Sequence, residues 1–192
     1  MIASPRPSRM TVEEYLAWEP RQELRYEYVN GDIVAMTGGS IAHNDIAINL
    51  LSALRPHLRQ QGCRINLADV KVNVTTTLYR YPDLIVTCDP QDQQATDAFS
   101  HPKLIVEVLS PNTEAKDRGE KLQEYRALPS LEEYILISST QISVEVYRRA
   151  EGKFWLYSSY AEADIVKLES IDFEFSVGLL YENIAAFEQS PK

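Results

Sequence analysis

Two carboxylates lie within apolar runs of the sequence, where a charged side chain needs a partner. Asp83 follows Pro82 and opens the run 84–86, and Glu107 lies inside the run 104–109. A strand that is buried on both faces reads as a continuous apolar run, and an ionised carboxylate is stable there only when it is paired. A divalent cation held by both carboxylates would meet that need. The pattern therefore predicts a metal-dependent site for phosphate-ester chemistry.

Magnesium suits the ligands that these two positions offer. Mg²⁺ prefers carboxylate oxygens and keeps several waters, so two carboxylates and one backbone carbonyl suffice to hold it. If the strands that carry Asp83 and Glu107 are neighbours, the carbonyl of Val108 is the third ligand. Such a cation would polarise the phosphoryl group, activate a water and offset charge on the leaving oxygen.

Each carboxylate also has a purely structural interpretation. Asp83 could be a strand-entry residue that caps the turn after Pro82, and Glu107 could form a buried ion pair with an arginine or a lysine. The sequence leaves both alternatives open.

A lysine on the next predicted helix, residues 114–128, could complete the site. Asp117, Lys121 and Tyr125 are spaced by four residues and therefore share one helix face. A lysine near the metal would orient the attacking water and stabilise the charge of the phosphorane. The alternative is a surface ion pair between Asp117 and Lys121, worth about 0.3–0.5 kcal/mol, and the spacing alone favours that alternative.

Two further residues are candidates for the same chemistry. Glu27 lies in the alternating segment 25–29 and is either a further acidic member of the site or half of a cross-strand pair on a hairpin. His43 follows a predicted helix start at Ser40 and could contact a phosphate or accept a proton. The alternative for a single histidine is a capping or packing role.

The elements that must position these residues alternate between helices and strands. Residues 12–18 and 40–61 predict helices, and Asn30-Gly31 predicts a tight hairpin turn. The segments 142–147 and 154–160 predict an antiparallel meander. The predicted continuation of that meander, and the short helix expected after it, cover residues 165–168, 173–175 and 177–187. The sequence predicts an α/β fold with a mixed central sheet flanked by helices and an additional antiparallel meander.

Length and composition indicate one domain. The 192 residues suffice for a single core, so we expect a flexible leader over residues 1–9 and one domain over residues 10–188. No apolar stretch approaches the roughly 20 residues that cross a membrane, and we expect a cytoplasmic protein. Cys63 and Cys88 are expected to be reduced, packed thiols. The net charge of −9 disfavours nucleic acid as a partner, since DNA-binding proteins usually carry a basic surface.

Together these segments resemble the Uma-type family of restriction endonucleases, a branch of the PD-(D/E)XK nuclease superfamily. The resemblance extends from about residue 10 to residue 147. It is carried by Tyr26-Glu27-Tyr28-Val29-Asn30-Gly31-Asp32-Ile33-Val34, His43, Pro82-Asp83, Glu107-Val108-Leu109-Ser110-Pro111, Asp117, Lys121 and Tyr125.

The resemblance implies a restriction-endonuclease-like core with Mg²⁺ or Mn²⁺ bound by Asp83 and Glu107. It also implies that Lys121 replaces the superfamily lysine, because the position two residues after Glu107 is Leu109. Lys116 and Lys103 are the rival lysines.

Two functions from different classes follow. The first is a metal-dependent endonuclease that hydrolyses DNA phosphodiester bonds at two carboxylates and a lysine, and acts as a homodimer because two sites match two strands. The second is a catalytically inactive nucleic-acid-binding or assembly protein on the same fold, which the acidic charge favours. A hydrolase of another phosphoester is a further alternative.

Overall fold

A computed structural model describes residues 9–36 and 38–187 of the chain. Its helices are α1 (Val12–Trp18), α2 (Ile41–Gln60) and α3 (Pro90–Gln93), followed by a composite helix of three segments, Glu114–Lys116, Asp117–Lys121 and Leu122–Arg126. Its strands are β1 (Tyr26–Val29), β2 (Asp32–Ala35), β3 (Arg64–Leu67), β4 (Lys71–Thr75), β5 (Leu78–Arg80), β6 (Leu84–Thr87), β7 (Ala98–Phe99), β8 (Leu104–Leu109), β9 (Glu133–Ser138), β10 (Ser143–Arg149), β11 (Trp155–Ala161), β12 (Ile165–Leu168) and β13 (Phe173–Ser176).

A six-stranded mixed sheet forms the centre of the fold, with the strand order β11-β10-β9-β8-β6-β3. Strands β8 and β9 run parallel, whereas the other neighbouring pairs in this sheet are antiparallel. A parallel pair needs a crossover connection, and here the composite helix provides it. The predicted fold class, a mixed sheet flanked by helices with antiparallel strands, is confirmed.

Helix α2 covers one face of the six-stranded sheet. Ile46, Leu50, Leu54 and Leu58 recur at helical spacing, are buried, and pack with β6, β8 and β9 in one core. Ser40 caps the helix by accepting a hydrogen bond from a backbone N–H of the first turn. The helix ends as predicted, before a glycine with positive φ at residue 62.

The composite helix covers the opposite face, where it contributes Tyr125 to a second core with Ile105, Leu109 and Tyr134. The sequence predicted one α-helix over residues 114–128. The structure instead has a π-helical turn at Asp117–Lys121 between two short α-helical segments. Buried polar side chains at both ends of this turn explain the difference, because the wider turn directs them together into the interior.

A second sheet of five strands, in the order β2-β1-β5-β4-β7, lies beside α1. The predicted hairpin joins β1 and β2, with positive φ at both Asn30 and Gly31 as that turn requires. Tyr15 of α1 stacks on Tyr28 of β1 and lies against Tyr79 of β5. This tyrosine cluster fixes β1, and therefore Glu27, relative to α1.

The cysteine prediction was wrong, since Cys63 and Cys88 form a disulfide. The antiparallel pairing of β3 with β6 sets Arg64 opposite Thr87, so the next residues outward, the two cysteines, also face each other. Their Cα atoms are 4.3 Å apart. Reduced thiols were expected from cysteine number alone, which carries no information about strand register.

The end of the chain also differs from the prediction. Strands β12 and β13 pair with each other and form a separate two-stranded sheet instead of extending the meander of β10 and β11. The helix expected over residues 177–187 is a 3₁₀ turn at Val177–Tyr181, and Asn183 with a positive φ of 59° excludes a continuous helix beyond it.

The predicted leader falls almost wholly outside the described residues, as do residue 188 and those after it. Arg9 is described, and it pairs with Asp32 of β2 through a backbone bridge and an ion pair of 3.4 Å. Among the residues that the structure describes, no helix is long and apolar enough to cross a membrane.

Candidate functional site

The register of two central strands brings the two carboxylates together. Strand β6 pairs antiparallel with β8, with Leu84 opposite Val106. One step outward along the same register sets Asp83 opposite Glu107, and side chains of directly opposed residues project from the same face of a sheet, with Cβ atoms about 5 Å apart. The strands are therefore neighbours, as the predicted metal site required.

Glu107 is a buried carboxylate with its own cation. Its Oε1 accepts hydrogen bonds from Lys121 Nζ at 2.8 Å and from the Tyr125 hydroxyl at 3.0 Å. Burial of the carboxyl group raises the pKa of Glu107 to about 8, against the attraction of Lys121. The negative charges of Asp83 and Asp117 add to that shift. A second positive charge beside Glu107 would reduce the repulsion between these carboxylates.

Asp83 lies directly before β6, and each of its two carboxylate oxygens has a hydrogen-bond partner. Its Oδ2 accepts the backbone N–H of Val108 at 2.7 Å, and its Oδ1 lies 3.1 Å from His43 Nε2. Burial lowers the basicity of the imidazole, but the hydrogen bond and charge of Asp83 prevail and raise the pKa of His43. A Cβ on Gly39 would lie 2.7 Å from His43 Cδ2, so glycine there leaves room for the ring.

The π-helical turn delivers Lys121 to the acidic pair. Its ammonium group lies 3.1 Å from Asp117 Oδ1 and 3.8 Å from Glu27 Oε1, in addition to its contact with Glu107. The Asp117 oxygen is buried, and its contact with the ammonium lacks hydrogen-bond geometry. Three carboxylates thus surround one lysine, and their combined charge raises the pKa of Lys121 although burial opposes it.

Glu27 links the five-stranded sheet to the composite helix through cations. Its Oε2 accepts hydrogen bonds from Arg80 at 2.7 Å and from Lys116 at 2.9 Å. Burial opposes ionisation of this carboxyl group, but Lys121, Arg80 and Lys116 together lower the pKa of Glu27. The partners of Glu27 therefore differ from the cross-strand pair considered for the hairpin.

Most of the chain resembles known proteins at the level of sequence. Residues 12–179 match the Uma2 family model, described as "Putative restriction endonuclease". The chain belongs to the Uma2 family. Two relatives come from Synechocystis sp. The first, "Uncharacterized protein slr1290", is 40% identical over 178 residues, which is 92% of this chain and 94% of the relative. "Uncharacterized protein sll1609" is 30% identical and covers 87% of this chain and 93% of its own length.

A solved structure shares the Uma2 fold. It is a crystal structure from Anabaena variabilis, described as "a putative nuclease belonging to DUF820", with a TM-score of 0.73. The likeness covers 90% of this chain and 97% of that chain at 19% identity. At that identity the comparison establishes the fold alone, and it agrees with the restriction-endonuclease-like architecture predicted from the sequence.

Of the three lysines considered from the sequence, Lys121 has the direct contact with Glu107 in this Uma2 member. Lys116 lies against Glu27, and Lys103 pairs with Glu132 at 3.4 Å. Leu109, which stands where the superfamily lysine was expected, is buried in the second core. An ammonium group at that point in β8 would have to enter an apolar cluster.

Sequence reasoning missed Arg80, which is fully buried. Its guanidinium group binds Glu27, Glu120 and Glu124, each at 2.7 Å. The available signal was its position, three residues before Asp83 in a segment that leads into an apolar run. Lys71 is also buried, and it pairs with Glu19 at 2.9 Å.

The metal ligands predicted from the sequence are two carboxylates and one backbone carbonyl. Among the described ranges, 9–36 and 38–187, no three His, Cys, Asp or Glu side chains are arranged to hold a metal ion. Asp83, Glu107 and the carbonyl of Val108 comprise two carboxylates and a backbone oxygen, which is a donor set of the kind that Mg²⁺ accepts when water fills the other positions. Both hydrogen bonds to Glu107 fall on Oε1, so Oε2 accepts none from the described residues.

Proposed function

We propose that the protein is a metal-dependent endonuclease that hydrolyses DNA phosphodiester bonds at Asp83, Glu107 and Lys121. The observation that carries the proposal is the register of β6 and β8, which sets two carboxylates side by side next to a buried lysine. Membership in the Uma2 family and the nuclease-like fold support it. The match over residues 12–179 supports treating residues 10–188 as one nuclease-like domain.

The proposed cofactor is Mg²⁺ or Mn²⁺, held by Asp83, Glu107 and the Val108 carbonyl. The residues fit a divalent cation because burial, together with the negative charges of Asp83 and Asp117, raises the pKa of Glu107, and a cation beside that carboxyl group would offset both effects. A bound cation would supply positive charge for the scissile phosphate and lower the pKa of a bound water.

The other residues would act around that pair. Lys121 would place its ammonium group close to the phosphate and stabilise the negative charge that develops on it. Glu27 would hold Lys121 and Lys116 in place, as a positioning residue. His43 would orient Asp83 through its 3.1 Å contact and, when protonated, offer a proton to a phosphate oxygen.

The partners in this proposal are DNA and a second copy of the chain. A homodimer presents two sites, one for each strand of a duplex, and light scattering in solution would measure that state. The proposed location is the cytoplasm, where a DNA substrate would be met.

A second candidate function rests on the ion pairs themselves. Lys121 pairs with Glu107, and His43 contacts Asp83 at 3.1 Å. A protein with such a closed network could bind nucleic acid, or another protein, without hydrolysing anything.

Plasmid nicking separates these functions. Purified protein with Mg²⁺ or Mn²⁺ should convert supercoiled plasmid to the nicked form, and Asp83→Ala should abolish the conversion. Asp32→Ala is the matched control, because Asp32 is an exposed aspartate that pairs with Arg9. Equal nicking by Asp83→Ala and wild type would contradict the proposed site, whereas DNA binding without nicking by wild type would favour the second candidate.

A further inference from the structure

A basic cavity lies at the far end of α2 from the candidate site. Its volume is about 970 Å³, and its lining includes Arg55, Arg59 and Arg64 together with the polar side chains of Ser52, Asn66 and Gln93. None of the described residues that line it is acidic. The chain has a net charge of −9, so three arginines around one cavity make a locally positive surface on an acidic protein. We call it the arginine cavity.

Two of these arginines are free to meet a ligand. Arg55 and Arg59 are exposed, are separated by one helical turn, and form no ion pair with the described residues. By contrast, Arg80, Arg118 and Arg148 all pair with carboxylates. The charge of the arginine cavity is therefore uncompensated within the part of the chain that the structure describes.

The third arginine is held in place. Arg64 Nη1 donates to the backbone carbonyls of Asp92, Gln93 and Ala95, at 2.7, 3.3 and 3.1 Å, and its guanidinium group lies over the Phe99 ring. These partners fix its position without cancelling its charge. A fixed guanidinium beside two exposed ones suits a ligand with several phosphates.

Helix α2 links the arginine cavity to the candidate site. His43 in its first turn contacts Asp83, and Arg55 and Arg59 follow 12 and 16 residues later, which is about 18–24 Å along the helix at 1.5 Å per residue. The exposed residues of the helix include no carboxylate, and Asp45 is half-buried. At 3.4 Å per base pair the separation corresponds to about five to seven base pairs of DNA.

We infer that the arginine cavity is a second contact site for the phosphodiester backbone of DNA, about five to seven base pairs from the bond that is cut. The inference rests on the proposed function, since it takes the candidate site as the other point of contact. Phosphate contacts of this kind fix the position of a duplex without reading its sequence. They also explain how an acidic protein could hold DNA.

The test is the salt dependence of DNA binding by Arg55→Ala/Arg59→Ala. A fluorescent 20-base-pair duplex is titrated in EDTA, so that binding is measured without hydrolysis. Losing two phosphate contacts should reduce the slope of log K against log salt by about 1.8, and if the two proteins bind equally at 1 M salt, the variant should bind about 60-fold more weakly at 0.1 M.

Two control variants isolate the position of the charge from its amount. Lys153→Ala/Lys167→Ala removes the same charge from exposed positions elsewhere and should keep nearly the wild-type slope. Arg55→Lys/Arg59→Lys keeps the charge and should therefore keep most of the wild-type slope. If Arg55→Ala/Arg59→Ala has the same salt slope as Lys153→Ala/Lys167→Ala, the inference is overturned.

Nicking by the same proteins separates this inference from the proposed function. Weak binding by Arg55→Ala/Arg59→Ala, with no nicking even by wild type, would support the arginine cavity and contradict the nuclease. Nicking by wild type with undiminished binding in that variant would overturn the cavity and retain the nuclease. No binding of the duplex by wild type would overturn the arginine cavity, and nicking with metal would then decide the nuclease by itself.

Discussion

Replacing Lys121 by methionine should show how much this lysine stabilises the buried carboxylates around it. The side chain of Lys121 is 9% exposed and that of Glu107 is 4% exposed, with 2.8 Å between ammonium and carboxylate. Removing one partner of a buried ion pair typically lowers the free energy of unfolding by about 3–5 kcal/mol, because the other charge stays buried without compensation. Methionine keeps the apolar stem of lysine and removes only the charge.

The loss in the free energy of unfolding should depend on pH. At pH 9, above the Glu107 pKa of about 8, wild type holds Glu107 ionised against Lys121. Lys121→Met must either leave that charge uncompensated or protonate Glu107, so the full loss of about 3–5 kcal/mol is expected. At pH 6 Glu107 holds a proton, so one of the uncompensated charges is absent and the loss should be smaller. Urea denaturation at both pH values in EDTA measures the difference.

Lys103→Met is the matched control for this experiment. Lys103 pairs with Glu132 at 3.4 Å, and both side chains are partly exposed, so its removal should change the free energy of unfolding by about 0–1 kcal/mol at either pH. If Lys121→Met is as mild as this control at pH 9, Lys121 does not neutralise a buried cluster and the reasoning is refuted.

Three further predictions concern the same framework. Cys63→Ala/Cys88→Ala should lower the free energy of unfolding by about 3.5 kcal/mol, since the bridge closes a loop of 25 residues, and thermal unfolding with and without reductant measures this; an unchanged Tm would contradict it. In metal-free wild type, Glu107 keeps a proton in the folded state that the unfolded chain releases, so stability should fall as pH rises from about 5 to about 8, by up to about 1.4 kcal/mol per pH unit. Glu107→Gln should flatten that fall, and an equal slope in the variant would assign it to other groups. His43→Gln should reduce nicking most at low pH, where the raised pKa keeps the imidazole charged, and a pH profile parallel to wild type would exclude that role.

The strand pair at the site was predictable because its signal is strong and local. The apolar run 84–86 directly follows Asp83, the run 104–109 contains Glu107, and the structure pairs those strands. The four-residue spacing of Asp117, Lys121 and Tyr125 correctly predicted a shared face. That spacing gave no sign of the π-helical turn, which depends on partners in other elements.

Features that depend on register or on distant partners were not predictable. The bridge between Cys63 and Cys88 follows from the alignment of β3 with β6, and Arg80 is buried because carboxylates from β1 and the composite helix converge on it. Spacing within the chain also favoured a surface pair between Asp117 and Lys121. Both side chains are instead buried, because the rest of the fold closes around them.

The central claim is that Asp83 and Glu107 hold one divalent cation, and calorimetric titration of Mn²⁺ into chelator-treated protein tests it most directly. Wild type should bind about one ion per chain, with no measurable binding in Asp83→Ala or Glu107→Gln and undiminished binding in Asp32→Ala. Absence of binding in wild type, or equal binding in Glu107→Gln, would contradict the claim.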